Sequence, residues 1–237
     1  MKNAIGILTV LLAASAANAL VVFDDFTDPP TSQAVAIPLL HPNPTLVETT
    51  GATILGGERD LLITVDGTAN MDSFIGTIGD GLLSFNSNAP GTILTLQYDG
   101  LDADIYGPPA TLVNSEGLGG LDLLAMGDYL YLDFERIDGG IAQVTGITIN
   151  VNGTGGTAVF SDVIPDSAGP MTFVALFSAF SNPSVLSDVT SIEFILNPDG
   201  ATDVDFALSA VGVPEPATLV LLGMGSLTLL RRRRRAA

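Results

Sequence analysis

Four aspartates, two tyrosines and one arginine are the side chains best placed, by type and spacing, to do chemistry. Asp24 and Asp25 stand in Val22-Phe23-Asp24-Asp25-Phe26, and Asp203 and Asp205 flank Val204 far along the chain. Hard cations such as Ca2+ take about six to eight oxygen ligands. The four acids are therefore a candidate Ca2+ site, provided the segments that carry them lie side by side. Residues two apart on a strand share a face, and neighbours do not. Asp203 and Asp205 can then both ligate, but only one of Asp24 and Asp25. Outward acids on two edge strands would also deter pairing with other chains. Tyr129 and Tyr131 share a face with Asp133 and Glu135. Aromatics beside carboxylates can stack on a sugar ring and hydrogen-bond it, although the buried second face of a sandwich strand accounts for them equally well. Arg59, in Gly56-Gly57-Glu58-Arg59-Asp60, reads as a partly buried pin for carboxylates and carbonyls at a strand start, with a ligand clamp as the alternative. Asp99, Asp102 and Asp104 form an acidic loop without EF-hand spacing.

Enzyme chemistry is poorly provided for. There is no Cys, so no thiol nucleophile. The one histidine, His41, precedes Pro42 in a proline-rich stretch, and no triad motif accompanies it. A single histidine also excludes a multi-histidine metal centre. A carboxylate pair for glycoside hydrolysis stays open, but among so many acids two are uninformative. The expectation is a non-enzymatic protein.

The elements that must position these residues are strands. Short alternating runs recur between Gly, Pro, Asn and Asp: Val21–Phe26, Leu61–Val65, Phe74–Ile78, Leu82–Phe85, Thr92–Tyr98, Tyr129–Arg136, Gln143–Val151, Ala158–Val163, Met171–Phe177, Val189–Leu196 and Asp203–Val211. Period two is plain in Leu130, Leu132, Phe134 and in Ile192, Phe194, Leu196. Strands at this spacing, with no convincing capped helix, predict an all-β sandwich or barrel. Residues 29–45 are expected to form a long loop, and Asn70–Gly91 and Asp99–Gly120 to be the least regular stretches. Gly117-Leu118-Gly119-Gly120 lacks the Lys and Ser/Thr of a phosphate loop; it reads as a close backbone approach leading into a strand. No repeat or linker divides residues 20–212, which are read as one domain.

That body is strongly acidic. It holds two cations, Arg59 and Arg136, against 25 acids, a net of −23. Nucleic acid and anionic lipid are excluded as partners by charge. Absence of Cys means that no disulfide supports the fold.

The ends carry addresses. Lys2, the apolar run Ala4–Ala14 and Ala17-Asn18-Ala19 form a secretory signal over residues 1–19, with cleavage expected after Ala19. At the other end, Val213-Pro214-Glu215-Pro216 precedes an uncharged apolar run, Ala217–Leu230, and then Arg231, Arg232, Arg233, Arg234 and Arg235. As a helix the run is about 21 Å long, short of the roughly 20 residues of a full span, but the arginines can snorkel to extend it. They should stay cytoplasmic. This order of features resembles the bacterial PEP-CTERM sorting signal. The resemblance implies recognition by an exosortase, a membrane-embedded cysteine protease, transient residence in the inner membrane, and removal of the tail near Pro-Glu-Pro. A retained anchor is the alternative.

The body motifs Phe23-Asp24-Asp25-Phe26, Leu55-Gly56-Gly57-Glu58-Arg59-Asp60-Leu61, Leu96-Gln97-Tyr98-Asp99-Gly100 and Gly117-Leu118-Gly119-Gly120-Leu121-Asp122-Leu123 resemble a recurrent domain of PEP-CTERM proteins, similar to jelly-roll, galactose-binding-like sandwiches. The expectation is a jelly-roll-like antiparallel β-sandwich over 20–212, flanked by an N-terminal signal helix and a hydrophobic helix within 213–237. The resemblance implies an exported surface or matrix protein; the alternative is a module that binds extracellular polysaccharide. Absence of Trp departs from the sugar-binding members.

Overall fold

The computed structural model describes residues 20–28, 33–35, 45–65, 74–87, 91–101 and 117–214. Two antiparallel sheets face one another. Sheet A runs β11 (Met171–Leu176), β8 (Tyr129–Asp138), β13 (Val204–Pro214), β6 (Leu82–Ser87), β5 (Phe74–Gly79) and β2 (Gln33–Val35), with β1 (Leu20–Asp24) joining β13. Sheet B runs β10 (Gly156–Pro165), β9 (Val144–Gly153), β12 (Val189–Leu196), β7 (Thr92–Tyr98), β4 (Glu58–Val65) and β3 (Thr45–Thr50). This is the β-sandwich that the alternating runs predict, in the jelly-roll-like form that the resemblance implies. The two expected flanking helices, and His41, Asp102 and Asp104, lie outside the described residues. No described helix is long and apolar enough to cross a membrane.

Period two decides what goes inside. Leu94, Leu96 and Tyr98 of β7, Ile147, Ile149 and Val151 of β9, and Ile192, Phe194 and Leu196 of β12 are all buried. Sheet A answers with Leu130, Leu132 and Phe134 of β8 and Val204, Phe206 and Leu208 of β13. Phe206 stacks on Phe85 with centroids 5.0 Å apart and meets Phe134 edge-on at 5.9 Å.

Three sequence expectations need correction. Residues 29–45 hold β2, and Thr45–Thr50 is an additional strand; its pairing with β4 supplies order that its composition does not announce. Asn70–Gly91 holds the regular β5–β6 hairpin at the expected runs Phe74–Ile78 and Leu82–Phe85, so only the expected irregularity of that stretch is corrected. The glycine-rich segment does not open a strand: it makes one bridge, Leu121 to Val189, and then the single-turn helix α1 (Leu123–Met126), capped by Asp122 Oδ1 accepting from Ala125 N at 3.0 Å. Close approach is present there, since a β-carbon on Gly117 would fall 1.2 Å from the Asp99 carbonyl oxygen.

The first and last strands pair, as expected of a jelly roll. On one edge β13 is accompanied by β8; on the other, β6 pairs its residues 204–208 and β1 pairs 211–214. β1 thus continues the line of β6, and Gly81 N in the β5–β6 turn donates to Phe26 O at 3.0 Å.

Candidate functional site

Arg59 alternates inward with Leu61 and Ile63 on β4 and is fully buried. A buried cation needs a paired, hydrogen-bonded anion. β1 supplies it: Arg59 Nη1 donates to Asp24 Oδ2 at 2.5 Å, and Nη2 to the Asp28 carbonyl at 2.6 Å. The Tyr98 hydroxyl of β7 donates to the same Asp24 oxygen at 3.0 Å, and Phe26 N donates to Oδ1 at 2.8 Å. Phe26 adopts a φ of 55°, and the guanidinium lies 5.4 Å from its ring centroid. Burial raises the Asp24 pKa above 3.8 against the lowering effects of Arg59 and these hydrogen bonds, and burial with the Asp24 charge holds the Tyr98 hydroxyl well above its usual value. The constellation is a staple between sheets. It bears out the reading of Arg59 as a pin for a carboxylate and a carbonyl.

The four candidate metal acids do not come together. β1 and β13 are neighbours, but Asp24 stands opposite Val211, six positions from Asp205. At about 3.4 Å per residue that is roughly 20 Å. Asp24 is engaged by Arg59. Asp25 faces the other way; slight burial raises its pKa, but hydrogen bonds from Thr27 and Thr53 outweigh it and leave the carboxyl below 3.8. Asp203 sits in a turn at φ 60°. Asp205 lies opposite Asn86 and Asp138 and lines a shallow concavity with Arg136, Asp138 and Asp166. Burial and the charges of Asp138 and Asp203 raise its pKa, against Arg136. Among the described residues no three acids or histidines are arranged to hold a metal ion.

Tyr129 and Tyr131 are on the outer face of β8, as expected, but not as an exposed pair. Tyr131 is 1% exposed. It lies across Gly212 of β13, where a β-carbon would stand 2.9 Å from its Cε1 and hydroxyl. Burial, then the charges of Asp133 and Tyr129, raise its pKa to about 12, and its hydroxyl has no partner among the described residues. Tyr131→Phe should therefore leave thermal stability within about 1 kcal/mol of the parent or raise it, since an unpaired buried hydroxyl is lost. A loss above about 2 kcal/mol would contradict this placement.

Sheet B carries an arrangement that sequence reasoning missed. Residues at the opposite parity to its core form a row across five strands: Glu48 opposite Asp60, Asp60 opposite Gln97, Gln97 opposite Glu193, and Glu193 opposite Asn150. A parallel row pairs Ser191 with Asn152 and Asn152 with Thr157. Asn150 Nδ2 donates to Glu193 Oε2 at 2.6 Å, Asn152 Nδ2 to Ser191 Oγ at 3.0 Å, and Gln97 Nε2 to Asp99 Oδ2 at 2.9 Å. Gln97 is 1% exposed, yet its Oε1 has no partner among the described residues. Strands stand about 4.8 Å apart, so five side chains span roughly 19 Å. Amides and carboxylates in such a row offer donors and acceptors suited to hydroxyl groups. Alternation within each strand gives the parity of these residues; only the pairing of strands shows that they align.

No curated protein matches the chain. Among solved structures it is similar to CtCBM11, at 14% identity and TM-score 0.40 over 85% of this chain and 98% of that one. It is similar also to the family 11 carbohydrate-binding module of the cellulosomal cellulase Lic26A-Cel5E of Clostridium thermocellum, at 13% and 0.37 over 84% and 96%. A third similarity is to PfGH50B, at 12% and 0.38 over 65% of this chain; the chain spans 22% of that protein's length. Where β13 ends, residues 212–235 match the PEP-CTERM protein-sorting motif.

Proposed function

We propose that this is an exported, non-enzymatic β-sandwich protein of the cell surface or extracellular matrix, delivered by its N-terminal signal and handed to an exosortase by its C-terminal tail. The observation that carries the reading is the sorting motif at residues 212–235, which begins within the last strand of the sandwich. A body with 25 acids and no Cys suits an interaction or structural role. Cell fractionation of the native host tests the destination. The protein is expected outside the inner membrane, and quantitative recovery from the cytoplasm would contradict it.

The row on sheet B favours a second reading, binding of a neutral extracellular polysaccharide. The half-buried members of the row, Glu48, Glu193 and Asn150, can each take a hydroxyl of an extended sugar chain, with Asp60 and Gln97 buried between them, and the net charge of the body disfavours anionic polymers. Tyr129, on the other sheet, is not part of that row. A glycan array with the mature protein is the test. Glu193→Ala removes an exposed-side acceptor and should weaken binding by about 10–100-fold, as expected for a hydrogen bond to a charged group. Tyr129→Ala should leave it unchanged. Absence of glycan binding, or the reverse ranking of the two variants, would sink this reading.

A further inference from the structure

Val213 and Pro214 open the Val-Pro-Glu-Pro sequence, and both are buried in β13. β8 accompanies β13 only as far as Gly212, and β6 only as far as Leu208. Among the described residues the ladder partners of Val213 and Pro214 are therefore Val21 and Leu20 of β1 alone. Pro214 packs also on Gly127, where a β-carbon would stand 2.6 Å from the Pro214 carbonyl oxygen and 3.1 Å from its Cδ. β1 in turn is fastened to the opposite sheet through Asp24 and Arg59. Leu20 is the first residue after the expected signal cut. The two ends that carry the targeting segments thus leave the domain as a cross-strand pair, with α-carbons about 5 Å apart.

We propose that β1 clamps the first half of the sorting motif into the sandwich, so that a protease reaches the tail only beyond Pro214 and the mature domain keeps β13 whole. The clamp itself is a property of the folded body; the identity of the protease that meets it in the cell rests on the exosortase reading. Neither cut removes a ladder partner of β13 among the described residues. The sandwich can therefore close completely while the tail is still attached, and release changes the location of the domain without changing its fold.

Limited digestion of the full chain, signal removed, in detergent with a broad-specificity protease tests the clamp, with fragments read by intact mass. The resistant fragment should end between Pro214 and Pro216. A variant lacking Leu20, Val21 and Val22 keeps the Asp24–Arg59–Tyr98 network but loses the partners of Val213 and Pro214. It should be trimmed into β13 on the order of tenfold faster, because that end now opens locally. Thermal unfolding checks that it folds; if it does not, Val21→Lys serves the same comparison. Trimming of the parent past Val213 as fast as the tail is lost, or an unchanged boundary and rate in the variant, would overturn the clamp. In the native host, a mature C-terminus before Pro214 would also overturn it. Retention of the whole tail there would instead count against exosortase processing, and the digestion result would still decide the clamp.

Discussion

Arg59→Met should destabilise the body by about 3–5 kcal/mol, the usual effect of removing one partner of a buried ion pair. For a domain of this size that lowers the thermal midpoint by about 6–20 °C. Asp24 would stay buried with only the Phe26 N–H and the Tyr98 hydroxyl, the Asp28 carbonyl would lose its donor, and the Phe26 ring its cation. Acid should narrow the deficit. The pKa of Asp24 in the folded state already lies above 3.8, because burial outweighs the opposing influence of Arg59. Without Arg59 it rises further. A raised acid contributes stability that is fully present below its unfolded pKa, here 3.8, and is lost as pH rises through its folded value. The variant should therefore approach the parent near pH 3–4 and fall furthest behind at neutral pH. Adding Asp24→Asn should recover part of the loss at pH 7, since no unpaired charge remains. Thermal unfolding of the three proteins across this range is the check. A neutral-pH deficit below about 1 kcal/mol, or one that widens in acid, would contradict the staple.

Changing Glu215 and Pro216 to Ala should have the largest effect on fate. These two residues lie beyond β13, so the substitution leaves Val213, Pro214 and the packing on Gly127 in place. Stability of the body should be unchanged while processing is lost, and the protein should accumulate in its unprocessed form in the membrane fraction. Immunoblots of fractionated native cells would show the shift in size and location. Normal release of the doubly substituted protein would mean that the Pro-Glu-Pro sequence does not direct it.

The strands of this sandwich were largely legible because their alternation is local. Leu94, Leu96 and Tyr98, or Ile192, Phe194 and Leu196, announce both the strand and its inner face. β13 shows where local reading stops. Bulges around Leu208 reverse its parity, so Val211 and Val213 face inward along with Val204 and Phe206, and the strand continues to Pro214 instead of ending at Val211. Arg59 could be recognised as a pin because it is one of two cations in the body. Its partner could not be chosen among 25 acids. The juxtaposition of first and last strands followed from the jelly-roll resemblance, but register between segments about 190 residues apart leaves no local trace. The sequence therefore groups Asp24 with Asp203 and Asp205, whereas the ladder sets it opposite Val211. The same limit hid the row from Glu48 to Asn150: every member has a readable parity, and none reveals its cross-strand neighbour. For Tyr131 the sequence leaves an exposed and a buried outer face open; the burial follows from Gly212 beside it, which leaves room for the ring and is visible only once the strands are paired.

Intact mass of the protein recovered from its native host tests the central claim most directly. The account predicts a chain that begins at Leu20 and ends beyond Pro214 without the apolar run and its arginines. A secreted or surface-bound form that still carries Ala217–Ala237 would contradict it.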